Sequence, residues 1–475
     1  MKHRRISRIA LWIGMPLVLL TGIGTGGFFY GKAKFNPDPP KLDYPAPESA
    51  LDAQRQDIDY YRKLIALDRS FSPALRAEAE RRLSALAASK MLLDRAHFRV
   101  ALLSITALAD NGHTSLFSKK PIRPVQLPIR VAEFSDGLYV MRVKPENIDL
   151  LGARIVKVDG HPVEEVLTKL ETLRGGTTAW RRNYALLVLV SSEFLYGAGI
   201  APSPDRSTWT FVPPDGRTVE RRFKGYQPAY EEPQPDLWRW MSPEPIKGDK
   251  DKWAAFAPEG LRLPVAFQDA DQTFRRVRLP GTCIMLIQMK ANEGDGISDF
   301  LEATEADLKA SPPCEIIFDN RYNGGGDYTN TAGFAGRLHA LVQPGGHIYL
   351  LTGPQTFSAG ITTTVFIKQA AAPSQVVILG EPVGDRLRFY SEGNFGCLPH
   401  APFCVHYATG MHDYTRTPCR DVDKCYWLNW IYPAHTDSLK PAETVIMTFA
   451  DYLAGRDPVF DRALELATKH GAQGS

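Results

Sequence analysis

The segment that decides the fold is HIYLLTGPQTFSAGITTTVFIKQAAAPSQVVILGE, residues 347–381. It opens with an apolar run of strand length, continues as an apolar helical stretch from Ala359, and returns to a second apolar run at Gln375. A strand, a helix and a second strand in this order predict a βαβ unit. The turn between the first strand and the helix carries Ser358 in the phrase TFSAG.

The same alternation extends towards the N-terminal side of this segment. The strand-like runs CIMLIQM and CEIIFDN are followed by the helix-like runs ISDFLEATEADLKAS and TAGFAGRLHAL, respectively. Alternating strands and helices are typical of a largely parallel sheet. The sequence therefore predicts the fold class α/β, with its core at residues 275–470.

Two further regions are predicted before this core. Residues 51–118 are rich in Ala, Leu, Arg and Glu, which predicts a helical domain with an apolar face at Leu83, Leu86 and residues 91–93. Residues 125–235 change to a period of two, with a strand at GLYVMRV, a strand–turn–helix unit at LLGARIVKVDGHPVEEVLTKL and a strand pair at STWTFVPPDGRTVERRF. This region resembles a PDZ-like module, a class that captures extended peptides at a sheet edge. A generic strand–turn–helix unit is the alternative.

The N-terminus carries a targeting signal. Four cations between Lys2 and Arg8 precede an apolar run at residues 9–30, which is long enough to span a bilayer as a helix. Because cations before such a segment stay in the cytoplasm, residues 1–34 are predicted to be a single-pass signal anchor in the inner membrane, with the rest of the chain in the periplasm. Residues 35–50 are rich in Pro and form the predicted linker. A cleaved signal peptide is the alternative.

The cysteines and the net charge limit the compartment and the partners. An even number of cysteines predicts disulfides, with the last four paired among themselves and the first two joined if their strands are neighbours: Cys283, Cys314, Cys397, Cys404, Cys419 and Cys425. Zinc is the alternative, but no pair has C-x2-C spacing. The net charge is only +3 and no basic stripe interleaves with aromatic residues, so nucleic-acid binding is not predicted.

A glycine-rich motif follows the strand CEIIF and reads DNRYNGGGD from Asp319 to Asp327. Three consecutive glycines let the backbone approach a ligand closely, and their N–H groups are able to bind a developing oxyanion. A phosphate-binding loop is not predicted, because no Gly-Lys-Ser/Thr follows. A flexible turn is the alternative for this motif.

Ser358 is the candidate nucleophile. It lies at a strand-to-helix turn, where the positive end of the helix favours negative charge nearby. Both this turn and the glycine-rich motif follow the carboxyl ends of predicted strands, which is where active sites of α/β proteins form. Taken alone, a serine at this position is more often a helix N-cap.

Together these motifs resemble those of the tail-specific (C-terminal-processing) serine proteases, peptidase family S41. The matching phrases are DNRYNGGG, TFSAG and LGEPVG, in the family's order, and the likeness extends to YLAGRDPVFDRAL near the C-terminus. The resemblance implies a crotonase-like α/β protease core and Ser358 as the nucleophile. It also implies an oxyanion hole made by backbone N–H groups of Ala359 and of Gly324, Gly325 or Gly326, a polypeptide substrate, and no metal or organic cofactor.

The general base departs from the Ser–Lys branch of that family. The position where this branch has its lysine is Asp385, and Lys368 lies in the helix after Ser358. The tricorn-like branch uses an upstream histidine instead, and the phrase DNGHT resembles its motif, which makes His113 the predicted base. A histidine in a surface loop is the alternative reading of His113.

A third group is expected to orient the histidine and to stabilise the imidazolium. Glu381, in the phrase LGEPVG, is the predicted acid, and Asp413, Asp421 and Asp423 are the alternatives. The predicted function is a serine peptidase, either an endopeptidase or a carboxyl-end-processing enzyme. A catalytically silent peptide- or ligand-binding protein on the same fold and an esterase or amidase are the alternatives.

Overall fold

A computed structural model describes residues 31, 33–232, 237–247 and 253–473. The α-helices bounded within these ranges are α1 (Ala50–Leu67), α2 (Pro73–Ala88), α3 (Arg95–Thr106), α4 (Val163–Glu171), α5 (Thr178–Leu189), α6 (Ser192–Gly197), α7 (Leu237–Trp240), α8 (Ile297–Ala310), α9 (Thr329–Arg337), α10 (Ala359–Ala370), α11 (Leu428–Ile431), α12 (Phe449–Leu453) and α13 (Pro458–Gln473).

The strands of the same residues form four sheets. In chain order they are β1 (Ser115–Ser118), β2 (Ile129–Phe134), β3 (Gly137–Val143), β4 (Arg154–Val158), β5 (His161–Pro162), β6 (Arg206–Val212), β7 (Val219–Lys224), β8 (Ala254–Ala255), β9 (Phe274–Arg278), β10 (Ile284–Met289), β11 (Glu315–Asp319), β12 (Ile348–Thr352), β13 (Val376–Gly380), β14 (Arg388–Ser391), β15 (Asn394–Cys397), β16 (Phe403–Tyr407), β17 (Gly410–Asp413) and β18 (Glu443–Thr444).

The α/β core is built on a six-stranded sheet with the order β18-β13-β12-β11-β10-β9. Neighbouring strands run parallel from β18 to β10, and β9 is antiparallel at the edge. Every residue of β10, β11 and β12 is buried, because α8, α9 and α10 pack on one face of the sheet and α13 packs on the other. Strands buried on both faces read as continuous apolar runs, which is why they were recognisable in the sequence. The predicted fold class is confirmed.

An antiparallel sheet with the order β2-β3-β4-β6-β7 lies upstream of the core, and β5 and β8 pair onto β4 and β3. The predicted strand GLYVMRV is β3, and the predicted strand–turn–helix unit is β4 followed by α4. Its turn, at Asp159 and Gly160, has φ angles of 48° and 83°. Apolar residues of α4 and α5 are buried against this sheet.

The helical region before this sheet consists of α1, α2 and α3. A hydrogen bond of 2.8 Å between the hydroxyls of Tyr61 and Thr106 joins α1 to α3. Leu83 is fully buried, as predicted. Met91 and Leu92 are 73% and 52% exposed, so their predicted place in the apolar face is wrong. Both residues follow the end of α2 and lie in the connection to α3, where the helical period no longer applies.

All six cysteines form disulfides, which join Cys283 to Cys314, Cys397 to Cys404, and Cys419 to Cys425. The predicted pairing is confirmed: the last four bond among themselves, and the first bridge joins the starts of the neighbouring strands β10 and β11. Disulfides persist in oxidising compartments, so they indicate an extracellular or periplasmic environment.

The predicted membrane segment falls on residues 1–34, and its apolar run, residues 9–30, lies wholly outside the described residues. Among the residues that are described, no helix is both long and apolar enough to cross a bilayer.

Candidate active site

Ser358 lies in the sharp turn between β12 and α10. Its backbone has φ 52° and ψ −123°, a conformation that residues with a side chain rarely adopt. The turn is tied to the glycine-rich loop after β11. The Thr356 hydroxyl donates to the Asn320 carbonyl at 2.8 Å, and the amide of Phe357 donates to the Asn323 carbonyl at 2.9 Å. Backbone held in such a conformation by its surroundings is typical of functional sites.

The glycine-rich loop packs directly against Ser358. Gly325 has φ +112°, and a Cβ atom at this position would lie 2.7 Å from the Ser358 Cβ, so only glycine fits here. The Gly325 amide donates at 3.0 Å to a side-chain oxygen of its own loop. Gly326 and Ala359 line the same cavity as Ser358, whereas Gly324 and Gly325 do not. Of the predicted oxyanion donors, the amides of Ala359 and Gly326 are therefore the better placed.

The cavity beside Ser358 has a volume of about 300 Å³ and also contains a histidine–carboxylate pair. His412, on β17, has its Nε2 atom 3.2 Å from Oε1 of Glu392 and its Nδ1 atom 3.4 Å from the hydroxyl of Tyr414. The pairing of β14 with β17 brings these residues together. Sequence reasoning missed this pair, because no local motif marks a contact that depends on strand register.

His113 is not among the residues that line this cavity. Its ring lies between Phe357 and Phe389, with centroid distances of 4.5 and 5.2 Å. Phe389 stacks in turn on His412 at 5.2 Å, and Phe357 stacks on Trp180 at 3.7 Å. A single aromatic stack thus contains both histidines and the residue that precedes Ser358.

Some polar atoms of His113 and of its neighbour Asp385 are buried without a hydrogen-bond partner in the part of the chain that the structure describes. Neither ring nitrogen has a hydrogen-bond partner among the described residues, so His113 does not bond to Ser358 in this structure. Its Nδ1 atom lies 3.8 Å from Oδ2 of Asp385, a carboxylate oxygen that is also buried without a partner there. Burial lowers the pKa of His113 well below its ordinary value and raises the pKa of Asp385 to about 7. The lowered pKa favours the neutral form of His113 at pH 7.

Charged side chains hold the loop that carries His113. Arg386 donates to the backbone carbonyl of Asp110 at 2.9 Å and also pairs with its carboxylate. Arg174 donates to the carbonyl of Gly112 at 2.6 Å. A Cβ atom at Gly112 would lie 2.8 Å from the ring of Phe357, so the loop passes very close to the Ser358 turn. Arg386, the residue that follows Asp385, therefore helps to hold the loop of His113 in position.

The structure does not bring Glu381 together with Ser358 or His113. Glu381 follows β13 and lines a separate cavity of about 470 Å³, together with Arg321 and Gln355. Burial raises its pKa above the ordinary value. The carboxylate beside His113 is that of Asp385, so the prediction of Glu381 as its partner differs from the arrangement in the structure.

The other residues considered from the sequence are engaged elsewhere. Lys368 donates to the Ser438 carbonyl, consistent with its exclusion as a base. The alternative acids bond to other partners: Asp413 to Thr415, Asp421 to Lys424 and Asp423 to Lys34.

A buried network of ion pairs stabilises the glycine-rich loop. Arg321 donates to both carboxylate oxygens of Asp319 and of Asp457, at distances between 2.7 and 2.9 Å. All three side chains are buried. Asp457 belongs to the phrase YLAGRDPVFDRAL, so this network is the contact that joins the C-terminal motif to the glycine-rich motif.

No protein-family model matches the sequence, and no curated protein matches it either. Solved structures do match. Mature CPAF complexed with lactacystin aligns over 89% of this chain and 99% of its own length, with a TM-score of 0.54 and 14% sequence identity. An alanine mutant of CPAF aligns over 88% of this chain and 98% of its own length, with a TM-score of 0.55 and 14% identity. This chain therefore has the fold of CPAF, from the helical region to the α/β core.

Proposed function

We propose that this chain is a serine-type peptidase of the tail-specific protease family that cleaves polypeptides with Ser358 as its nucleophile. The observation that carries the proposal is the Ser358 turn: a serine in a rare backbone conformation, at the N-terminus of a buried helix, against a glycine that no other residue can replace. A helix N-cap serine needs none of these features, because its side chain bonds the helix in ordinary extended backbone. No side-chain capping bond is formed by Ser358.

In the proposed mechanism, the Ser358 hydroxyl attacks the scissile carbonyl carbon while a histidine accepts its proton. The carbonyl oxygen becomes an oxyanion that accepts hydrogen bonds from the amides of Ala359 and Gly326. The positive end of α10 favours the same negative charge. The histidine then donates its proton to the leaving amine, and water hydrolyses the acyl-enzyme by the same steps.

We assign the role of base to His113, with Asp385 as its carboxylate partner. The unpaired ring nitrogens of His113 support this assignment, because a base has to be free to accept a proton. Catalytic hydrogen bonds are often absent without substrate and form only in the complex. His412, which shares the Ser358 cavity and pairs with Glu392, is the competing base.

We infer that the substrate is an extended polypeptide chain. The outer strand β2 contributes residues 132–134 to the 470 Å³ cavity, and the loop at residues 353–355, just before Ser358, contributes to the same cavity. An unpaired strand edge binds an extended peptide through main-chain hydrogen bonds, as PDZ domains do. A peptide long enough to reach from β2 to Ser358 should therefore be cleaved with a lower KM than a short one.

The proposed location is the periplasmic side of the inner membrane, with residues 9–30 as the anchor. An exposed tryptophan patch, made of Val422, Trp427, Trp430 and Ile431, supports this location. Lys34 donates to the Val422 carbonyl at 3.0 Å, so the chain that follows the anchor contacts this patch. Tryptophan is enriched at membrane–water interfaces. A reporter that is active only outside the cytoplasm should be active when fused after Ser475, and a cytoplasmic signal would contradict this topology.

Labelling by a fluorophosphonate probe tests the nucleophile. The wild-type chain should be labelled at Ser358, and Ser358→Ala should lose both the label and peptide hydrolysis. Ser391→Ala is the matched control, because this serine lines the same cavity and should leave labelling unchanged. Activity of Ser358→Ala within a few-fold of the wild type would refute the assignment.

The labelling experiment also tests the two alternative functions, a silent binding protein and an esterase. A folded wild-type chain that neither reacts with the probe nor cleaves peptides is a silent binding protein, a result that the absent Ser358–His113 hydrogen bond favours. A labelled chain that hydrolyses short esters but no peptide is an esterase. Parallel assays with a casein substrate and a short-chain ester separate the two.

A further inference from the structure

A second cluster of chemistry-bearing side chains lies at the edge of the six-stranded sheet opposite to Ser358. It consists of Glu315 at the start of β11, His347 immediately before β12, and His470 near the end of α13. Strands β11 and β12 are parallel, so their starts meet at one edge of the sheet and their ends meet at the other. The glycine-rich loop and Ser358 follow the ends of these strands. The cluster is therefore separate from the candidate active site.

The three side chains of this cluster converge on one point. Oε1 of Glu315 lies 3.0 Å from Nδ1 of His470, and its Oε2 lies 3.7 Å from Nδ1 of His347. One possible ligand atom from each residue lies within 4.8 Å of the other two. A tetrahedral zinc ion with bonds of about 2.0–2.1 Å separates its ligand atoms by about 3.4 Å. The two carboxylate–imidazole distances, one from each oxygen of Glu315, lie on either side of that value, and the remaining separation is at most 4.8 Å. Side-chain movements of about an ångström would bring the three ligand atoms to tetrahedral spacing.

The buried carboxylate of Glu315 is enclosed by the histidines of the cluster, and its Oε2 also accepts a hydrogen bond from the backbone N–H of His347 at 2.6 Å. Glu315 is only 1% exposed, and its ion-pair partners within the described ranges are these two histidines. The Nδ1 atom of His347 is buried and has no hydrogen-bond partner there. A buried carboxylate needs a compensating charge, and buried nitrogen atoms are seldom left unpaired. A bound divalent cation would satisfy both groups at once.

We propose that Glu315, His347 and His470 form a binding site for a divalent transition-metal ion, with zinc as the best match. Two imidazoles and one carboxylate are a ligand set that zinc uses, with one coordination position left for water. An open cavity of about 860 Å³ beside Glu315 and His470 gives solvent access to that position. The ion ties α13 to the starts of β11 and β12, and so stabilises the C-terminal helix that covers one face of the sheet.

Zinc titration of the full-length chain, stripped of metal with a chelator, tests this site. Calorimetry should show one high-affinity zinc ion per chain in the wild type. His470→Ala and Glu315→Gln should weaken binding at least ~100-fold, since each removes one of three ligands. His470 is half exposed, so its variant should remain folded. His161→Ala is the matched control, because this histidine is exposed on β5, and it should bind zinc like the wild type.

Two further measurements decide where the ion binds. Zinc should raise the thermal midpoint of the wild type and of Ser358→Ala, but not that of His470→Ala. Cobalt should give the visible absorption of a tetrahedral site in the first two proteins only. Equal zinc affinity in the wild type, His347→Ala and His470→Ala would overturn the proposal, as would a wild type that binds no zinc.

Discussion

Two buried polar groups lie near the Ser358 turn: the ion network around Arg321 and the pair formed by His113 and Asp385. They differ in how completely their polar atoms are paired. Below the turn, Arg321 bonds to four carboxylate oxygens of Asp319 and Asp457. Beside it, both ring nitrogens of His113 and Oδ2 of Asp385 are buried without a partner among the described residues. Buried polar atoms are normally paired, and an unpaired group calls for a specific reason.

From this difference we infer a structural role for the Arg321 network and a catalytic role for His113 and Asp385. A buried and fully bonded ion network is typical of structural support, so we infer that the Arg321 network holds the glycine-rich loop in place. The unpaired groups beside Phe357 retain their capacity to exchange a proton, which is what a general base requires. If the comparison is correct, changes in the first region should affect folding, and changes in the second should affect catalysis or its pH dependence.

The largest effect is expected for His113→Ala. The rate of peptide hydrolysis should fall by about 10³-fold or more, because a serine hydroxyl is a weak nucleophile without a nearby base. His412→Ala should reduce kcat/KM by less than about tenfold, and Lys368→Ala should have little effect. The measurement is kcat/KM on a fluorogenic peptide, with circular dichroism to verify folding.

Added imidazole provides the control for this prediction. It should restore part of the activity of His113→Ala by filling the space left between Phe357 and Phe389. A ranking in which His412→Ala is the more damaging change, with rescue by imidazole, would transfer the role of base to the His412–Glu392 pair.

The next effect is expected on stability. Arg321→Met should lower the free energy of unfolding by about 3–5 kcal/mol, because it leaves two buried carboxylates without their partner. Denaturant unfolding followed by fluorescence measures this loss. Arg462→Met is the control, since Arg462 pairs with Glu443 and Glu465 on the surface and its loss should barely be resolved. Equal destabilisation by the two changes would refute a supporting role for the buried network.

The fold of the core could be predicted from the sequence because its signals are local. Strands β10 to β13 are short apolar runs, and each is followed or preceded by a helix with its own period. The same local patterns predicted that Ser358 and the glycine-rich loop follow the ends of strands. The first disulfide was also predictable, since its pairing required only that β10 and β11 be neighbours. For the last four cysteines, the sequence predicted that they pair among themselves but not which pairs form.

The partners of the candidate histidines were not predictable, because they depend on contacts between distant parts of the chain. His113 meets Asp385 through the packing of the helical region against the core. His412 meets Glu392 through the register of β14 and β17. Glu315, His347 and His470 come from two strand starts and a helix end, with no spacing that resembles a metal motif.

A smaller effect is expected for Asp385→Asn, and it should depend on pH. Burial raises the pKa of Asp385 from its ordinary value of 3.8 to about 7, so the folded state holds the proton more tightly than the unfolded state. Stability should therefore fall as the pH rises from about 4 to about 7, because ionisation then favours the unfolded chain. Asparagine cannot ionise, so the variant should be more stable than the wild type above pH 7, by at most about 4 kcal/mol.

Denaturant unfolding of both proteins at pH 4.5 and pH 8 measures this difference. The lowered pKa of His113 acts in the opposite direction, since stability is lost as the pH falls below about 6.5. This contribution is present in both proteins and should largely cancel in their comparison. A stability difference that does not change between the two pH values would show that Asp385 is ionised in the folded protein throughout.

The smallest effect on catalysis is expected for Glu381→Gln. This residue lines the 470 Å³ cavity, whereas the carboxylate beside His113 is that of Asp385, so we do not expect Glu381 to orient the histidine. Burial already raises its pKa and favours the protonated form, which glutamine resembles in shape and in lacking charge. We therefore expect kcat to stay within about threefold of the wild type, with any change appearing in KM for long peptides. A loss of 10²-fold or more in kcat would make Glu381 the third catalytic group in place of Asp385, and would contradict the role that the comparison gives to the unpaired groups beside Phe357.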